Sequence, residues 1–260
     1  MGRAQDTWAQ QLAAWAIDPE ILDAAPESPY GFPPGLFGPR TGAESTHRAI
    51  AAALPSGGSL LDIGCGGGAA SIPVAGRAGS LLGVDSAEGM LTTYAAAATA
   101  AGVPVRTWYG AWSEVAADVP IADVTVAANV VYNVPDIGGF LQTMTEHARH
   151  RVVIELTDSH PWTAMAQLWR RFHGQDRPDG PTIADFLAVT AEVGFDAQVE
   201  SFQRVSVWAN AAPDVVLAFN RRRLCLPVER EPEVAAAMRE LPATSPSTAS
   251  TVWWDVRMDR

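Results

Sequence analysis

A glycine-rich segment preceded by a carboxylate is the part of the sequence best suited to ligand chemistry. Residues 60–68 read LLDIGCGGG, in which a short apolar run leads into Gly64-x-Gly66 and Asp62 precedes the first glycine. Glycines let the backbone approach a ligand closely, and the start of a following helix favours polar or anionic groups. Alone, such a turn is weak evidence, because several nucleotide ligands use it.

Two carboxylates narrow the choice of ligand. Asp62 interrupts an apolar run, where it would repel a pyrophosphate but suit an ammonium group; it could also bond loop amides, and both roles can coexist. Asp85 follows the next apolar run, 21 positions after Gly64. Nucleotide-binding α/β folds place there the carboxylate that accepts both ribose hydroxyls. The alternative for Asp85 is a plain helix N-cap.

These residues need a parallel sheet to bring them together. Short apolar runs that alternate with helical patterns predict such a sheet, covered on both faces. The five predicted strands are 59–63, 80–84, 103–108, 124–128 and 152–156, with later strands at 197–207 and 250–258. Gly110-Ala111-Trp112 and the segment 129–133 follow the third and fourth strands, at the edge where open α/β sheets bind ligands.

Helices are predicted between and around these strands. An N-terminal helix carries Trp8, Leu12 and Trp15 on one face, with residues 7–10 as a capping box. Asp18 is expected to cap a second helix that begins at Pro19. Further helices are predicted at 45–54, after the glycine segment (where Pro73 lies early), at 136–149 and 182–193, and twice within 212–241.

The composition limits the class of protein. The chain has 260 residues, 48% apolar residues and a formal net charge of −11, which suits one compact α/β domain and disfavours nucleic acid as a partner. Cys65 and Cys225 cannot form a disulfide framework and have no neighbours with metal-ligand spacing. No apolar run is long enough for a membrane span or a signal sequence. We therefore expect a cytoplasmic protein with a small-molecule substrate and no metal, and its oligomeric state stays open.

The successive segments LLDIGCGGG, LLGVDSAEGML, YGAW and DVTVAANVVYNVPD resemble the motifs of class I S-adenosylmethionine-dependent methyltransferases. The resemblance covers about residues 59–155. It implies a Rossmann-like α/β fold with a seven-stranded sheet, helices on both faces and an antiparallel last strand. It also implies S-adenosyl-L-methionine as cofactor and S-adenosyl-L-homocysteine as product.

The resemblance also assigns roles to residues of the cofactor site. Gly64 and Gly66 would line the methionine moiety, with Cys65 a small residue of the same loop and Asp62 facing the ammonium group. Asp85 would hold the ribose, and Asn129 would lie beside the sulfonium and carboxyl end. The residues expected around the adenine are Ser86, Met90, Ala111 and Trp112. Family members commonly have an acidic residue at the position of Ala111, so the adenine amine would bond only to backbone here.

Segments outside the resemblance would supply the substrate pocket. Residues 45–260 would form the methyltransferase domain, and residues 1–44 with the insertions 157–181 and 212–241 would form a lid over the cofactor. Aromatic side chains in these segments are candidate pocket walls, although such rings are more often lid core: Tyr30, Phe32, Trp162 and Trp169.

Methyl transfer from a sulfonium requires alignment more than acid–base chemistry, because the electrophile is already activated. A base is needed only if the acceptor must lose a proton early. His160 and His173 are the candidate bases or substrate contacts, each with the alternative of a loop histidine bonded to backbone. Tyr132 and Asn133 could position an acceptor or merely shape their loop.

Other basic residues are expected to play no part in the site. His47, His147 and His150 are predicted to lie on helix surfaces. The run Arg221-Arg222-Arg223 is predicted to be a solvated stretch at a helix end.

The sequence therefore predicts a small-molecule methyltransferase whose acceptor atom (oxygen, nitrogen or carbon) is open. Two alternatives stand beside it. Gly64-x-Gly66-x-x-Ala69 also fits the fingerprint of an NAD(P)-dependent oxidoreductase, although Asp62 weighs against a pyrophosphate. The other alternative is an S-adenosylmethionine-binding protein without catalysis.

Overall fold

The computed structural model describes residues 2–31, 44–204, 208, 211–241 and 247–256. Phe32 therefore lies outside the described residues. Within them, the seven strands are β1 Gly58–Ile63, β2 Ala78–Asp85, β3 Val105–Tyr109, β4 Ala122–Ala128, β5 Ala148–Thr157, β6 Gln198–Arg204 and β7 Ser247–Asp255. The helices are α1 Arg3–Ala13, α2 Pro19–Asp23, α3 Ser45–Ala53, α4 Glu88–Ala100, α5 Trp112–Val115, α6 Ile137–Glu146, α7 Ala166–His173, α8 Ile183–Val193, α9 Pro213–Arg223 and α10 Glu231–Glu240.

The strands form one sheet in the order β3-β2-β1-β4-β5-β7-β6. β7 is antiparallel to both β5 and β6, and the pairs from β3 to β5 are parallel. This arrangement confirms the predicted α/β class and the hairpin of the last two strands. It also aligns the carboxyl ends of β1, β2, β3, β4 and β5 along one edge, where the candidate residues were expected.

The central strands of the sheet are buried on both faces. On one face, α1, α6 and α8 pack against the sheet around Ile63, Leu141 and Phe186. On the other, α3 and α4 cover a second cluster that includes Ile50 and Tyr94. None of the helices in the described part of the chain is long and apolar enough to cross a membrane.

The insertions pack on each other in a third apolar cluster, separate from the sheet. In this cluster, the residues that follow α1 pack against α7, α10 and the turn after α9. Its buried side chains include Ile17, Met165, Leu168, Trp169, Leu224, Leu226 and Val234. The two helices predicted within 212–241 are confirmed as α9 and α10.

The capping box predicted at residues 7–10 is wrong. α1 begins at Arg3, and the Thr7 hydroxyl lies inside the helix, where it donates to the Arg3 carbonyl (2.9 Å). Glu192 of α8 caps α1 from outside, since its carboxylate accepts hydrogen bonds from the backbone of Ala4 (2.8 Å) and Gln5 (3.3 Å). In contrast, Asp18 caps α2 as predicted, accepting from the Glu20 amide (2.9 Å).

Two predicted helices also differ from the observed structure. The helix predicted over 136–149 ends at Glu146, because the chain from Ala148 onward pairs with β4 and the Ala122 amide already bonds the His147 carbonyl (2.9 Å). No α-helix follows the glycine loop; Ile72–Arg77 is a 3-10 helix. Pro73 in its first turn has no amide hydrogen to donate.

Replacing Trp8 tests whether α1 belongs to the core. The Trp8 ring is fully buried, stacks against Tyr132, meets Phe186 edge-on, and donates its indole N–H to the Val134 carbonyl (3.0 Å). We expect Trp8→Ala to lower the free energy of unfolding in urea by about 3–5 kcal/mol. The exposed neighbour Gln10→Ala is the control; equal stability of the two variants would contradict the assignment of α1 to the core.

Candidate functional site

The glycine loop after β1 has a backbone that only glycine adopts readily. Gly64, Gly66 and Gly68 have φ angles of 67°, 51° and 88°. The amides of Gly64 and Cys65 both donate to the Val84 carbonyl (2.7 and 3.0 Å), so the loop folds back over the end of β2. A Cβ on Gly64 would lie 2.4 Å from a Val130 methyl carbon. Both the angle and the space therefore require glycine at this position.

Asp85 connects three of the predicted ligand segments. Its Oδ2 accepts from the Gly66 amide (2.8 Å), its Oδ1 accepts from the Ala87 amide (2.9 Å), and its carbonyl accepts from the Gly110 amide (3.1 Å). These bonds hold the glycine loop, the end of β2 and the turn after β3 against one another. Each carboxylate oxygen keeps a further acceptor position, since an ionised carboxylate offers about four lone-pair sites.

Asp62 is a buried carboxylate, with 1% of its surface exposed. Its Oδ2 accepts from the Ser71 hydroxyl (2.6 Å). Burial raises the pKa of Asp62 to about 7; the Ser71 hydrogen bond opposes that rise, and the charges of Asp85 and Glu155 add to it. Among the described residues, no basic nitrogen lies within 4.0 Å of this carboxylate. The site therefore suits a cationic ligand better than an anionic one.

A buried polar network lies at the ends of β4 and β5. Asn129 has a φ of 61°, and its amide nitrogen atoms bond Glu155: the backbone N–H to the carbonyl (2.8 Å) and Nδ2 to Oε1 (3.3 Å). Arg204 of β6 donates to Asn129 Oδ1 (2.8 Å) and lies 3.5 Å from the Glu155 carboxylate. Thr46 at the start of α3 donates to Glu155 Oε2 (2.7 Å).

Sequence reasoning missed three members of this network, namely Glu155, Arg204 and Thr46. A signal was present for Glu155, which like Asp62 is an acid near the end of an apolar strand. Arg204 could not be found in this way, because β6 reaches the site only through its pairing with β7.

The residues expected around the adenine lie near Asp85, except for the ring of Trp112. Ser86 and Ala111 are exposed and Met90 is half-buried. The Trp112 ring is instead turned into the core, where it meets His147 edge-on at 4.8 Å and its Nε1 has no partner among the described residues. Only the backbone of Trp112 is thus placed for a ligand at the sheet edge.

His160 lies in an aromatic cage beyond β5. Its ring stacks on Trp15 at 4.1 Å and meets Tyr132 and Trp162 edge-on at 5.2 and 5.7 Å. Nδ1 accepts from the Trp162 amide (3.2 Å), which leaves the ring proton on Nε2. Burial, with a contribution from the positive charge of Arg177, lowers the pKa of His160 to about 3. A neutral ring of this kind is better suited to donating a hydrogen bond than to acting as a general base.

The remaining candidates make local contacts. Tyr132 donates to the Thr157 carbonyl (2.7 Å), and burial raises its pKa well above the usual range. Asn133 is exposed in the turn after β4. The His173 ring nitrogen Nε2 bonds the Leu224 carbonyl (2.7 Å), which joins α7 to the end of α9. The roles of all three in catalysis stay predictions.

The predicted aromatic walls separate into two groups. Tyr30 is 51% exposed and stacks near Trp162 at 6.5 Å, beside the His160 cage. Trp169 is instead 1% exposed in the third apolar cluster. The observed position of Trp169 therefore corresponds to lid core.

Two predictions about basic residues are wrong. His47 is 1% exposed, and its Nε2 lies 3.0 Å from the Ala69 carbonyl at the end of the glycine loop. Arg221 and Arg223 are also buried. Arg221 bonds Glu27 and lies 3.5 Å from Glu231, contacts between distant segments that the local run of arginines does not reveal.

The cysteines do not supply a nucleophile to this site. Cys65 and Cys225 are both buried free thiols. Burial raises the pKa of each, and for Cys65 the rise is well beyond the usual range. In the part of the chain that is described, no group of three or more His, Cys, Asp or Glu side chains is arranged to hold a metal ion.

Comparison with known proteins finds methyltransferase similarity in one part of the chain. A methyltransferase domain model matches residues 60–151. A ubiquinone biosynthesis O-methyltransferase from Azorhizobium caulinodans is 40% identical over 87 residues. That match spans 34% of this chain and 34% of the relative, so it covers only about a third of either protein.

Solved structures share the fold over most of the chain. A SAM-dependent methyltransferase from Geobacter sulfurreducens, in complex with S-adenosyl-L-homocysteine, superposes with a TM-score of 0.56 at 18% identity, covering 93% of this chain and 99% of the other. Magnesium protoporphyrin IX methyltransferase from Synechocystis gives a TM-score of 0.53 at 14% identity, covering 91% and 92%. At these identities the likeness establishes the fold alone.

The buried charge of Asp62 predicts a distinctive pH dependence of stability. Its pKa is raised in the folded chain, so the folded state holds its proton more tightly than the unfolded state does. Stability is therefore unaffected by this group at pH below about 4, falls as pH rises towards 7, and is constant above. We expect Asp62→Asn, which cannot ionise, to be more stable than the native chain at pH 8, by on the order of a few kcal/mol.

Urea unfolding at pH 5 and pH 8 measures this difference. The gain from Asp62→Asn should be larger at pH 8 than at pH 5, whereas the exposed Asp118→Asn should change stability little at either pH. A loss of stability in Asp62→Asn that grows with pH would contradict the assignment.

Proposed function

We propose that this chain, which carries a class I S-adenosylmethionine-dependent methyltransferase domain in a sheet of that family's fold, transfers a methyl group from S-adenosyl-L-methionine to a small-molecule acceptor. S-adenosyl-L-homocysteine would leave as the product. The observation that carries the proposal is the buried Asp62 carboxylate, which has no basic partner among the described residues and lies beneath a glycine loop held by Asp85.

The residues at the sheet edge fit this cofactor. S-adenosylmethionine carries an ammonium and a sulfonium cation, and Asp62 with Glu155 provides buried negative charge nearby. The backbone of Gly64 and Gly66 can lie against the methionine moiety because neither has a side chain in the way. Asn129, held by Glu155 and Arg204, would lie beside the sulfonium and carboxyl end.

The nucleoside half of the cofactor would contact the segments that Asp85 holds together. Asp85 would accept the ribose hydroxyls with the acceptor positions left free by the backbone amides. Ser86, just before α4, and Met90, within α4, would contact the adenine. The backbone of Ala111 and Trp112 would do so from the turn after β3. The Trp112 ring, buried against His147, supports that turn from inside.

The bound cofactor supplies an activated methyl group, which an acceptor takes by in-line displacement. The contribution of this chain is to orient the acceptor and to exclude water. His160 would donate a hydrogen bond from Nε2 to an acceptor above the ends of β4 and β5. We assign it an orienting role ahead of Tyr132, Asn133 and His173.

We further propose that the lid includes residues 15–31 and the insertions 157–181 and 212–241; residues 32–43 lie outside the described part of the chain. α1 packs into the main core, so only the part of residues 1–44 that follows it belongs to the lid.

A formal net charge of −11 supports a small molecule over nucleic acid as acceptor. Two free thiols support a cytoplasmic setting. The acceptor atom stays open, since the O-methyltransferase relative matches only over the cofactor-binding part.

Ligand-induced thermal stabilisation separates methyltransferase from oxidoreductase. We expect S-adenosyl-L-homocysteine at 100 times its Kd to add about 2.7 kcal/mol of stability, with a clear rise in Tm, and NAD(P) to have no effect. Stabilisation by NAD(P) alone would overturn the proposal. Methyl transfer from labelled S-adenosylmethionine to a small-molecule extract in a single turnover would separate an enzyme from a non-catalytic binding protein.

Replacement of Asp85 tests the proposed position of the ribose. Asp85→Ala should weaken binding of S-adenosyl-L-homocysteine at least tenfold by calorimetry, because it removes both the hydroxyl acceptor and the brace of the Gly66 amide. The matched control is Glu88→Gln, which removes an exposed carboxylate from the first turn of α4. Unchanged affinity in a folded Asp85→Ala protein would refute the ribose assignment.

The raised pKa of Asp62 predicts that cofactor binding releases protons. An ammonium group favours the ionised form of Asp62, whose pKa is about 7 without ligand. At pH 6, binding of S-adenosyl-L-homocysteine should therefore expel close to one proton, and affinity should rise with pH up to about 7 and then level off. Calorimetry in two buffers of different ionisation enthalpy measures this release. If the Asp62→Asn protein released the same number of protons on binding S-adenosyl-L-homocysteine, the role proposed for Asp62 would be contradicted.

A further inference from the structure

Arg177 lies in the lid, in the segment between α7 and α8, and its guanidinium is held on two sides. Nη1 donates to the carbonyls of Ala16 (2.9 Å) and Trp15 (3.3 Å). The guanidinium carbon lies 3.9 Å from the centre of the Trp169 ring, which supports the plane of the group. One nitrogen and one face of the guanidinium are therefore fixed by the fold.

The other edge of the same guanidinium has no partner. Nε and Nη2 are both buried, and neither forms a hydrogen bond with any described residue. No carboxylate of the described residues lies within 4.0 Å of Arg177. Buried donors on a cation are expensive to leave unsatisfied, so a partner is expected here.

The identity of the two free donors indicates the shape of that partner. The N–H bonds of Nε and Nη2 point in parallel from one edge of the planar guanidinium. This pair matches the two oxygens of a carboxylate in a bidentate arrangement, which a single hydroxyl or carbonyl oxygen cannot reproduce.

The free edge belongs to the same region as the candidate acceptor residues. Arg177 donates to the Trp15 carbonyl (3.3 Å), and the Trp15 ring stacks on His160 at 4.1 Å. The charge of Arg177 also helps to lower the pKa of His160. His160 contacts Tyr132, which follows Asn129 at the end of β4. A series of contacts thus leads from Arg177 to the expected position of the methyl group.

Arg223 adds positive charge and aromatic surface to this region. It is 3% exposed, and its guanidinium lies 4.4 Å from the centre of the Trp162 ring. Tyr30 stacks near the same ring. Burial, together with the charge of Arg222, lowers the pKa of Arg223 to about 10, which leaves it protonated at neutral pH.

We propose that the Nε–Nη2 edge of Arg177 binds a carboxylate of the methyl acceptor, so that the acceptor is an organic acid whose flat apolar part lies against Trp162 and Tyr30. The inference rests on the proposed methyltransferase function, since it names the class of acceptor for that same site. Arg177 is then a specificity-determining residue, and the acceptor is distinguished by its acid group as well as by its size.

Matched acids and amides test the proposal without knowledge of the natural acceptor. The probes are benzoate with benzamide, and phenylacetate with phenylacetamide, titrated by calorimetry into the full chain saturated with S-adenosyl-L-homocysteine. We expect at least one acid to bind tenfold or more tightly than its amide. Arg177→Lys keeps the charge but loses the parallel pair of donors, and it should remove most of that preference. Arg170→Lys, on the exposed side of α7, is the control and should keep it.

Each outcome bears on the proposal separately from the methyltransferase function. Equal binding of acids and amides, no binding of either, an unchanged preference in Arg177→Lys, or tighter binding of inorganic phosphate than of both acids would overturn it. Binding of S-adenosyl-L-homocysteine with no acid preference would leave the methyltransferase function in place and refute only the acid class. An acid preference without binding of S-adenosyl-L-homocysteine would refute the function and keep the carboxylate site. If Arg177→Lys does not fold, the acid–amide comparison on the native chain still decides.

Discussion

The crowding of carboxylates at one edge of the sheet is the constraint on which the site depends. Asp62, Asp85 and Glu155 come from β1, β2 and β5, and their negative charges act on one another. The fold stabilises two of them with hydrogen bonds, through loop amides for Asp85 and through Thr46 and Arg204 for Glu155. Asp62 has a serine hydroxyl, so its burial is compensated less completely. In the proposed complex a cationic ligand would complete this arrangement, and its binding would restore the stability lost in the free protein.

Three arginines of the proposed lid lie against aromatic rings. They are Arg177, Arg222 and Arg223, over the rings of Trp169, Phe219 and Trp162 respectively, in a chain whose net charge is −11. In the proposed complex, the cationic cofactor would lie against the carboxylates at the sheet edge, and the acidic substrate would lie against arginines of the lid. The acceptor's charge and the sulfonium would then attract each other across the site. Such a division of charge orders the two ligands without a dedicated catalytic base, in keeping with a His160 ring that stays neutral.

The sequence predicts the features that depend on neighbouring residues and misses those that depend on distant ones. Strands, the Asp18 cap and the end of α8 at Val193 follow from local apolar runs and turn chemistry, and the structure confirms them. The Thr7 cap was wrong because Glu192, 188 positions away from Ala4, already satisfies the start of α1. The same reason explains why His47, Arg221 and Arg223 were expected in solvent. Their burial results from packing between segments that the sequence alone does not bring together.

The 3-10 helix after the glycine loop bears on the choice between cofactors. In dinucleotide-binding folds, the pyrophosphate is stabilised by the N-terminus of an α-helix that begins at the loop. Here the corresponding segment is Ile72–Arg77, which is not α-helical, and Pro73 lacks one of the amide hydrogens that would face an anion. The loop therefore has little of the aligned backbone dipole that favours phosphate groups. Together with the buried Asp62 immediately before it, this loop disfavours an anionic pyrophosphate and favours the cationic methionine end of S-adenosylmethionine.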